Sequence, residues 1–267
     1  MGGDLVMNNV ELSMGQFQLV SDVLSLAIAA MLASFIFFVL VRQQMALSYR
    51  PAMILSSLVV AIAGYHYVRI FGSWHDAYHF EAGIYKPTGL PFNDSYRYVD
   101  WLLTVPLLCA ELVAVMNIKS GLRGRLMGKL VIAAVLMIGL GYPGEVATDN
   151  TTRAIWGALS TIPFVYILYV LWVELNQAAS NETPHTRVLL RNTRLLILGT
   201  WGFYPIAYLI RQAGVSGSAA MVGVQIGYSF ADIIAKCGYG VMIYAIARSK
   251  MEAAGETTAE GVPARVS

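Results

Sequence analysis

Seven stretches of this chain are long and apolar enough to cross a lipid bilayer as α-helices. A membrane-spanning helix needs about 20 apolar residues, whereas a membrane β-strand has about 10 residues that alternate in polarity. Charged residues make up only 13% of the chain, which is about half of their share in an average soluble domain. The sequence therefore predicts an all-α membrane protein, a bundle of seven transmembrane helices. The predicted spans are residues 16–41, 52–72, 96–117, 126–142, 155–175, 188–210 and 219–247.

The connections between these spans are short, which favours one compact domain. The longest connection, residues 73–95, joins the second span to the third and contains several glycines and prolines. We expect a short β-hairpin in it, formed by residues 80–85 and the segment up to Phe92. The predicted organisation is an extracellular N-terminal segment (residues 1–15), a seven-helix domain (residues 16–248) and a disordered cytoplasmic tail (residues 249–267).

Composition argues against several other classes of protein and site. Two cysteines, Cys109 and Cys237, are too few for a disulfide scaffold or a thiolate metal site, so we expect no metal. A net charge of +2 gives no reason to expect nucleic acid as a partner. We expect the lipid bilayer as a partner, and also a homo-oligomer, since the small-residue spacing of Gly223 and Gly227 suits close helix packing within the bundle or between subunits.

The basic residues predict how the bundle is oriented, because cytoplasmic loops carry an excess of Lys and Arg. Twelve of them lie on the side of the C-terminus, five lie on the opposite side, and one is inside the last span. We therefore expect a multi-pass protein of the cell (inner) membrane, with its N-terminus outside and its C-terminus in the cytoplasm. The twelve are Arg42, Arg50, Lys119, Arg123, Arg125, Lys129, Arg187, Arg191, Arg194, Arg248, Lys250 and Arg265, and the five are Arg69, Lys86, Arg97, Arg153 and Arg211.

Ionisable side chains inside the spans are the strongest functional signal, because each costs about 2.5–3.5 kcal/mol at mid-bilayer. The third span contains Asp100 and Glu111, and the seventh contains Asp232 and Lys236. Spacings of four and seven residues place Asp100, Thr104 and Glu111 on one helix face, with the two acids about 16 Å apart. Asp232 and Lys236 are one turn apart on the same face. A column of carboxylates beside a lysine indicates a proton path with a reactive amine.

A purely structural ion pair between Lys236 and one carboxylate is the alternative interpretation of these charges. Arg97 lies three residues before Asp100 and is expected to keep a nearby carboxylate ionised. Glu111 has apolar neighbours in the sequence, and we expect it to be protonated at rest.

Three sequence motifs resemble helices of the microbial (type 1) rhodopsins. RYVDWLLTVPL at residues 97–107 is similar to their third helix, WGFYP at residues 201–205 to their sixth, and DIIAK at residues 232–236 to their seventh. The motifs occur in the right order and in the matching spans, and the resemblance extends over residues 16–247. Within this family, the chain looks most like the proteorhodopsin and xanthorhodopsin group of light-driven outward proton pumps.

The resemblance implies that Lys236 binds all-trans retinal as a protonated Schiff base. It also implies that Asp100 is the counterion and proton acceptor, Asp232 the second counterion and Glu111 the proton donor. His66 matches the histidine that this group pairs with the acceptor, although a core histidine bonded to the backbone is the alternative. The residues implied to line the retinal pocket are Trp101, Thr104, Leu108, Met137, Gly141, Ser160, Trp201, Tyr204, Pro205 and Tyr208, for whose aromatic members ordinary helix packing is the alternative.

Gly157 departs from the pattern of many relatives, which carry a bulky aromatic residue at this position. In xanthorhodopsin-like members, a glycine here opens a window through which a carotenoid antenna contacts the retinal ring. We therefore expect a carotenoid as a second pigment, and a hydroxylated one is the first to test. The alternative is a glycine that only allows two helices to pack closely.

The resemblance thus predicts a light-driven ion transporter rather than an enzyme. The main alternative is a sensory photoreceptor that signals through a partner without net transport, although sensors usually lack an acidic donor such as Glu111. Chloride pumps replace the acceptor acid with a neutral residue. Sodium pumps carry Asn, Asp and Gln at the positions that correspond to Asp100, Thr104 and Glu111 here. Neither pattern matches Asp100, Thr104 and Glu111. A transporter without retinal would leave the aromatic residues unexplained.

Leu108 predicts the colour of the protein. It matches a position at which this group has Leu in green absorbers and Gln in blue absorbers. We expect an absorption maximum in the green for the protein purified with retinal. A maximum well into the blue would contradict this assignment.

Overall fold

The computed structural model describes residues 10–116, 118, 120–180, 182–213 and 215–255. Much of the predicted N-terminal segment and tail, residues 1–9 and 256–267, lies outside the described residues. The helices are α1 (Met14–Val41), α2 (Arg50–Ala77), α3 (Tyr96–Val115), α4 (Ser120–Glu145), α5 (Asn150–Ser180), α6 (Pro184–Trp201), α7 (Phe203–Gln212), α8 (Ser218–Asp232) and α9 (Tyr239–Ala254). The strands are β1 (Leu12–Ser13), β2 (Tyr78–Glu81) and β3 (Ile84–Pro87).

The helices form the predicted seven-span bundle. Helices α1 to α6 each pack against the next, and the last span closes the ring through α8 on α1 and α9 on α6. Within the described residues, six helical segments are long and apolar enough to cross a membrane: α1 to α5, and the continuous run from α8 to α9. Large apolar side chains such as Leu40, Ile132 and Ile162 cover the outer surface, as expected for a bundle surrounded by lipid.

The sixth span is broken into α6 and α7 at Gly202. Pro205 explains the break, since it has no N–H to donate to the carbonyl of Trp201 four residues earlier and its ring crowds that turn. Three arginines also lie in α6, so neither segment alone has the length and apolarity of a complete span. Trp201 is buried at the end of α6, and Phe203, Tyr204 and Pro205 after it are partly buried.

The seventh span contains a π-helical segment, Ile233–Gly238, between α8 and α9. Lys236 lies inside this segment. One-turn π-bulges in α-helices are frequently found at functional sites, because the extra residue turns side chains away from their regular positions.

The predicted β-hairpin is confirmed, with different limits. Strands β2 and β3 pair antiparallel, with Phe80 opposite Tyr85, and the return strand ends at Pro87 rather than near Phe92. The two-residue turn has positive φ at both positions, 52° at Ala82 and 89° at Gly83, which matches the right-handed twist of a hairpin. Strand β1, which was not predicted, adds a third strand against β3.

The last helix extends to Ala254, beyond the predicted end of the bundle at residue 248. The first residues of the predicted tail are therefore helical, and Ser249 and Lys250 are buried. Gly255 ends the helix with a left-handed φ of 64°, a conformation that glycine adopts without strain.

Candidate functional site

The Lys236 amine lies between two carboxylates at the centre of the bundle. Its Nζ is 2.8 Å from Oδ2 of Asp100 on α3 and 2.8 Å from Oδ1 of Asp232 at the end of α8. All three residues are at most 2% exposed. The structure therefore brings the acid of the third span together with the acid and the lysine of the seventh span, away from the protein surface.

Asp232 is held by several donors in addition to Lys236. Its Oδ2 accepts a hydrogen bond from the hydroxyl of Tyr67 (2.8 Å) and lies 3.5 Å from Nη1 of Arg97. Its Oδ1 accepts hydrogen bonds from the hydroxyl of Tyr204 (2.6 Å) and from the indole N–H of Trp101 (3.4 Å). Both oxygens of this carboxylate are thus engaged, as a buried anion requires.

Asp100 has a different environment. Its Oδ2 accepts a hydrogen bond from Lys236, whereas its Oδ1 is buried and has no hydrogen-bond partner among the described residues. Nδ1 of His66 on α2 is also buried without a partner in that part of the chain. The structure therefore shows no hydrogen bond between this histidine and Asp100, although both atoms have unused bonding capacity.

Arg97 connects the charged cluster to the side of the bundle at which α3 begins. Its Nη1 donates to the hydroxyl of Tyr67 (2.8 Å) and its Nη2 to Oε1 of Gln225 (2.9 Å). The amide of Gln225 in turn donates to Oδ2 of Asp94 (3.0 Å). Asp94 is partly exposed, so a continuous line of hydrogen bonds leads from Asp232 to the surface.

The formal charges of the cluster cancel. Lys236 and Arg97 contribute two positive charges, and Asp100 and Asp232 contribute two negative charges. Such cancellation is what makes four ions tolerable in an interior of low dielectric constant, because an isolated ion there costs many kcal/mol.

Glu111 lies further along α3 in an apolar environment. It is fully buried, and its Oε1 accepts a hydrogen bond from the hydroxyl of Ser56 on α2. Its Oε2 has no partner among the residues that the structure describes. This carboxyl group therefore has a single neutral partner, which suits the protonated form of the acid.

A second buried ion pair closes the end of the bundle beyond Glu111. Nζ of Lys250 is 2.6 Å from Oε1 of Glu182 and also donates to the carbonyl of Val115 (2.9 Å), one turn after Glu111 on α3. Thr186 and Ser249 share a hydrogen bond of 2.6 Å beside it. The pair therefore contacts α3 one turn beyond Glu111.

A cavity of about 440 Å³ extends from Lys236 between α3, α4, α5 and α7. Its size lies within the range of small-molecule sites. Nearly all of the residues that the resemblance assigns to a retinal pocket line it: Trp101, Leu108, Met137, Gly141, Ser160, Trp201, Tyr204, Pro205 and Tyr208, with Gly157 and Lys236. Thr104 is outside this lining, and its hydroxyl donates to the main-chain oxygen of Asp100 (2.9 Å).

The cavity reaches the lipid-facing surface beside Gly157. Ala154, Ala158 and Leu209 are part of its lining and are also exposed on the outside of the bundle. A Cβ atom on Gly157 would lie 2.7 Å from the ring of Tyr208, so only glycine allows this ring to occupy its position. The tyrosine hydroxyl donates to the carbonyl of Arg153 (2.6 Å), which holds the ring in place.

Three residues that contact the site were not predicted from the sequence: Tyr67, Gln225 and Ser56. Gln225 had a signal, because Gln225, Asp232 and Lys236 follow spacings of seven and four residues, which place them on one helix face. Ser56 on α2 contacts Glu111 of α3, whereas Tyr67, eleven residues later on α2, contacts Arg97 of α3 and Asp232 of the seventh span. A tyrosine or serine in an apolar span gives no such signal unless the face of the neighbouring helix is known.

The chain is similar to known sequences and structures over most of its length. The family model described as "Bacteriorhodopsin-like protein" matches residues 18–250. A green-light absorbing proteorhodopsin from Gamma-proteobacterium EBAC31A08 is 30% identical over 225 residues, which are 83% of this chain and 84% of the relative.

Two solved structures share about half of the sequence. Xanthorhodopsin, described as a light-driven ion pump with dual chromophore, is 52% identical with a TM-score of 0.90, over 93% of this chain and 100% of that one. A thermophilic rhodopsin is 54% identical with a TM-score of 0.89, over 92% of this chain and 99% of that one.

Proposed function

The chain belongs to the bacteriorhodopsin-like family, the microbial (type 1) rhodopsins, and from this premise we propose that it is a light-driven outward proton pump. The observation that carries the proposal is the position of the Lys236 amine between two buried carboxylates. A third buried acid, Glu111, lies about 16 Å from Asp100 along the same helix. Proton carriers on both sides of one amine are the arrangement that vectorial transport needs.

We propose retinal, bound covalently to Lys236, as the cofactor of the central cavity. The cavity fits such a group because it is largely apolar, begins at the lysine and has two tryptophans, Trp101 and Trp201, in its walls. Retinal supplies the absorption of visible light and a change of shape on isomerisation. The protein's part is to hold a proton on the Lys236 nitrogen in the dark, and the adjacent Asp100 and Asp232 stabilise that positive charge.

We propose Asp100 as the acceptor of this proton and Asp232 as the permanent counterion. One carboxylate oxygen of Asp100 has no hydrogen-bond partner among the described residues, whereas both oxygens of Asp232 already accept hydrogen bonds and one also faces Arg97. Protonation of Asp232 would have to break those contacts. His66 is proposed as the partner of Asp100, because a hydrogen bond between them would satisfy two buried atoms that lack one in the part of the chain that the structure describes.

Glu111 is proposed as the donor that returns a proton to the Lys236 nitrogen. It is buried on the same helix as the acceptor, but towards the end of the bundle that carries most of the basic residues. That end faces the cytoplasm by the charge rule, so a proton supplied by Glu111 comes from inside. On the opposite side, the line of hydrogen bonds from Arg97 through Gln225 to Asp94 is the proposed exit.

A carotenoid antenna is proposed at the opening beside Gly157. The opening is bounded by small residues, Ala154 and Ala158, and leads directly from the lipid surface to the central cavity. A rigid polyene lying on this surface would contact Tyr208, whose ring lies against Gly157. The description of xanthorhodopsin as having a dual chromophore supports a second pigment in a relative of this similarity.

The external pH of cells that express the protein tests the transport proposal. Unbuffered cells supplied with all-trans retinal should acidify the medium under green light, and a protonophore should abolish the change. Coloured cells that carry Asp100→Asn should give no acidification, because the acceptor is lost. Coloured wild-type cells without a pH change would favour a sensory photoreceptor, and alkalinisation enhanced by the protonophore would indicate transport of another ion.

Lys236→Ala tests the covalent attachment of retinal. The variant should remain colourless after addition of all-trans retinal, because alanine has no amine to bind the aldehyde. Lys250→Met, which removes a second buried lysine, should still become coloured. Visible absorption of Lys236→Ala at the wild-type level would refute the assignment.

Fluorescence excitation tests the antenna. Purified protein mixed with a hydroxylated carotenoid should show carotenoid bands in the excitation spectrum of retinal emission. Gly157→Trp should remove these bands, whereas Ile162→Trp, at an exposed position on the same helix, should retain them. An excitation spectrum of the wild type without carotenoid bands would show that the opening does not function as an antenna site.

A further inference from the structure

A second groove lies on the outer surface of the bundle, between α5 and α6. It has a volume of about 280 Å³, and its floor is formed by apolar residues that include Leu168, Leu171 and Ile197. Tyr169 and Trp172 form part of its wall and are 65% and 41% exposed. The groove shares no lining residue with the retinal cavity, so the proposed transport mechanism does not account for it.

Arg194 forms the polar end of this groove. Its guanidinium lies 3.9 Å from the centre of the Trp172 ring and donates a hydrogen bond to the side chain of Asn176. Its Nε is buried and has no hydrogen-bond partner among the described residues. An aromatic ring and a neutral amide therefore hold a cation whose charge they do not neutralise.

The depth of Arg194 corresponds to the boundary between hydrocarbon and lipid headgroups. The part of α5 that is apolar enough to span a membrane ends at Glu174, two residues after Trp172. Tryptophan and arginine both favour this level of a bilayer. Arg191 is exposed one turn before Arg194 on α6, so a second cation lies on the same side, nearer to the water.

We propose that this groove binds one anionic phospholipid. The phosphate would lie at Arg194 and Arg191, and an acyl chain would occupy the apolar floor. Two cations favour an anionic headgroup, whereas the ammonium of a zwitterionic lipid would be repelled by the same charges. Glu174 does not repel the phosphate, because it lies on the other side of α5 from the groove. It is two residues from Trp172, which is about 200° around the helix.

Native mass spectrometry of the purified full-length protein tests the proposal. The protein in detergent is titrated with phosphatidylglycerol and with phosphatidylcholine of the same acyl chains. We expect one phosphatidylglycerol to bind roughly 30-fold more tightly, since each of the two basic residues near an anionic lipid contributes about fivefold. Arg194→Gln should reduce this preference to roughly fivefold and Arg194→Lys should keep it in full, since lysine retains the charge. Lys129→Gln, at an exposed basic position on α4, should behave as the wild type.

Several results would overturn the proposal. Equal affinity of the wild type for the two lipids would do so, as would an undiminished preference in an Arg194→Gln variant with an unchanged melting temperature. If soluble glycerol phosphate bound with the same affinity as phosphatidylglycerol, the apolar groove would contribute nothing to binding. If Arg194→Gln separated an oligomer into monomers without altering lipid binding, the groove would be an interface between copies. None of these outcomes depends on proton transport.

Discussion

A lysine amine held between two carboxylates inside a membrane is the interaction on which the rest of this structure depends. Lys236 lies 2.8 Å from both Asp100 and Asp232, and removal of one partner from such a buried pair typically costs about 3–5 kcal/mol. The cluster is tolerable only because Arg97 balances its charge and two tyrosines donate to Asp232. The second, third, sixth and seventh spans must therefore pack so that these side chains lie at the same depth in the bundle.

The unequal environments of the carboxyl groups support the proposed direction of transport. Within the described residues, both oxygens of Asp232 accept hydrogen bonds, one oxygen of Asp100 has no partner, and Glu111 has the Ser56 hydroxyl as its single partner. A proton leaving the Lys236 nitrogen therefore has one acceptor that is ready to receive it. In the proposed mechanism, its replacement comes from Glu111, which is fully buried towards the opposite end of the same helix.

The seven spans and the charged centre were predictable from sequence, because each depends on a strong one-dimensional signal. Long apolar stretches indicate spans, and a charged residue inside a span is rare enough to indicate function. The contribution of Tyr67 to the Asp232 network was not predictable, because a tyrosine in an apolar helix resembles ordinary packing. The π-helical segment around Lys236 and the third strand also depend on tertiary contacts, which periodicity within one element does not reveal.

The proposed mechanism requires that Glu111 supply the proton that the Lys236 nitrogen loses. The direct measurement is the recovery of visible absorbance after a light flash, in protein reconstituted in lipid. Glu111→Gln should keep the colour and slow recovery by on the order of 10²-fold, the lower end of what a positioned proton donor contributes. Glu252→Gln, on the exposed end of α9, should recover at the wild-type rate. An unchanged recovery rate in Glu111→Gln would show that Glu111 is not the proton donor.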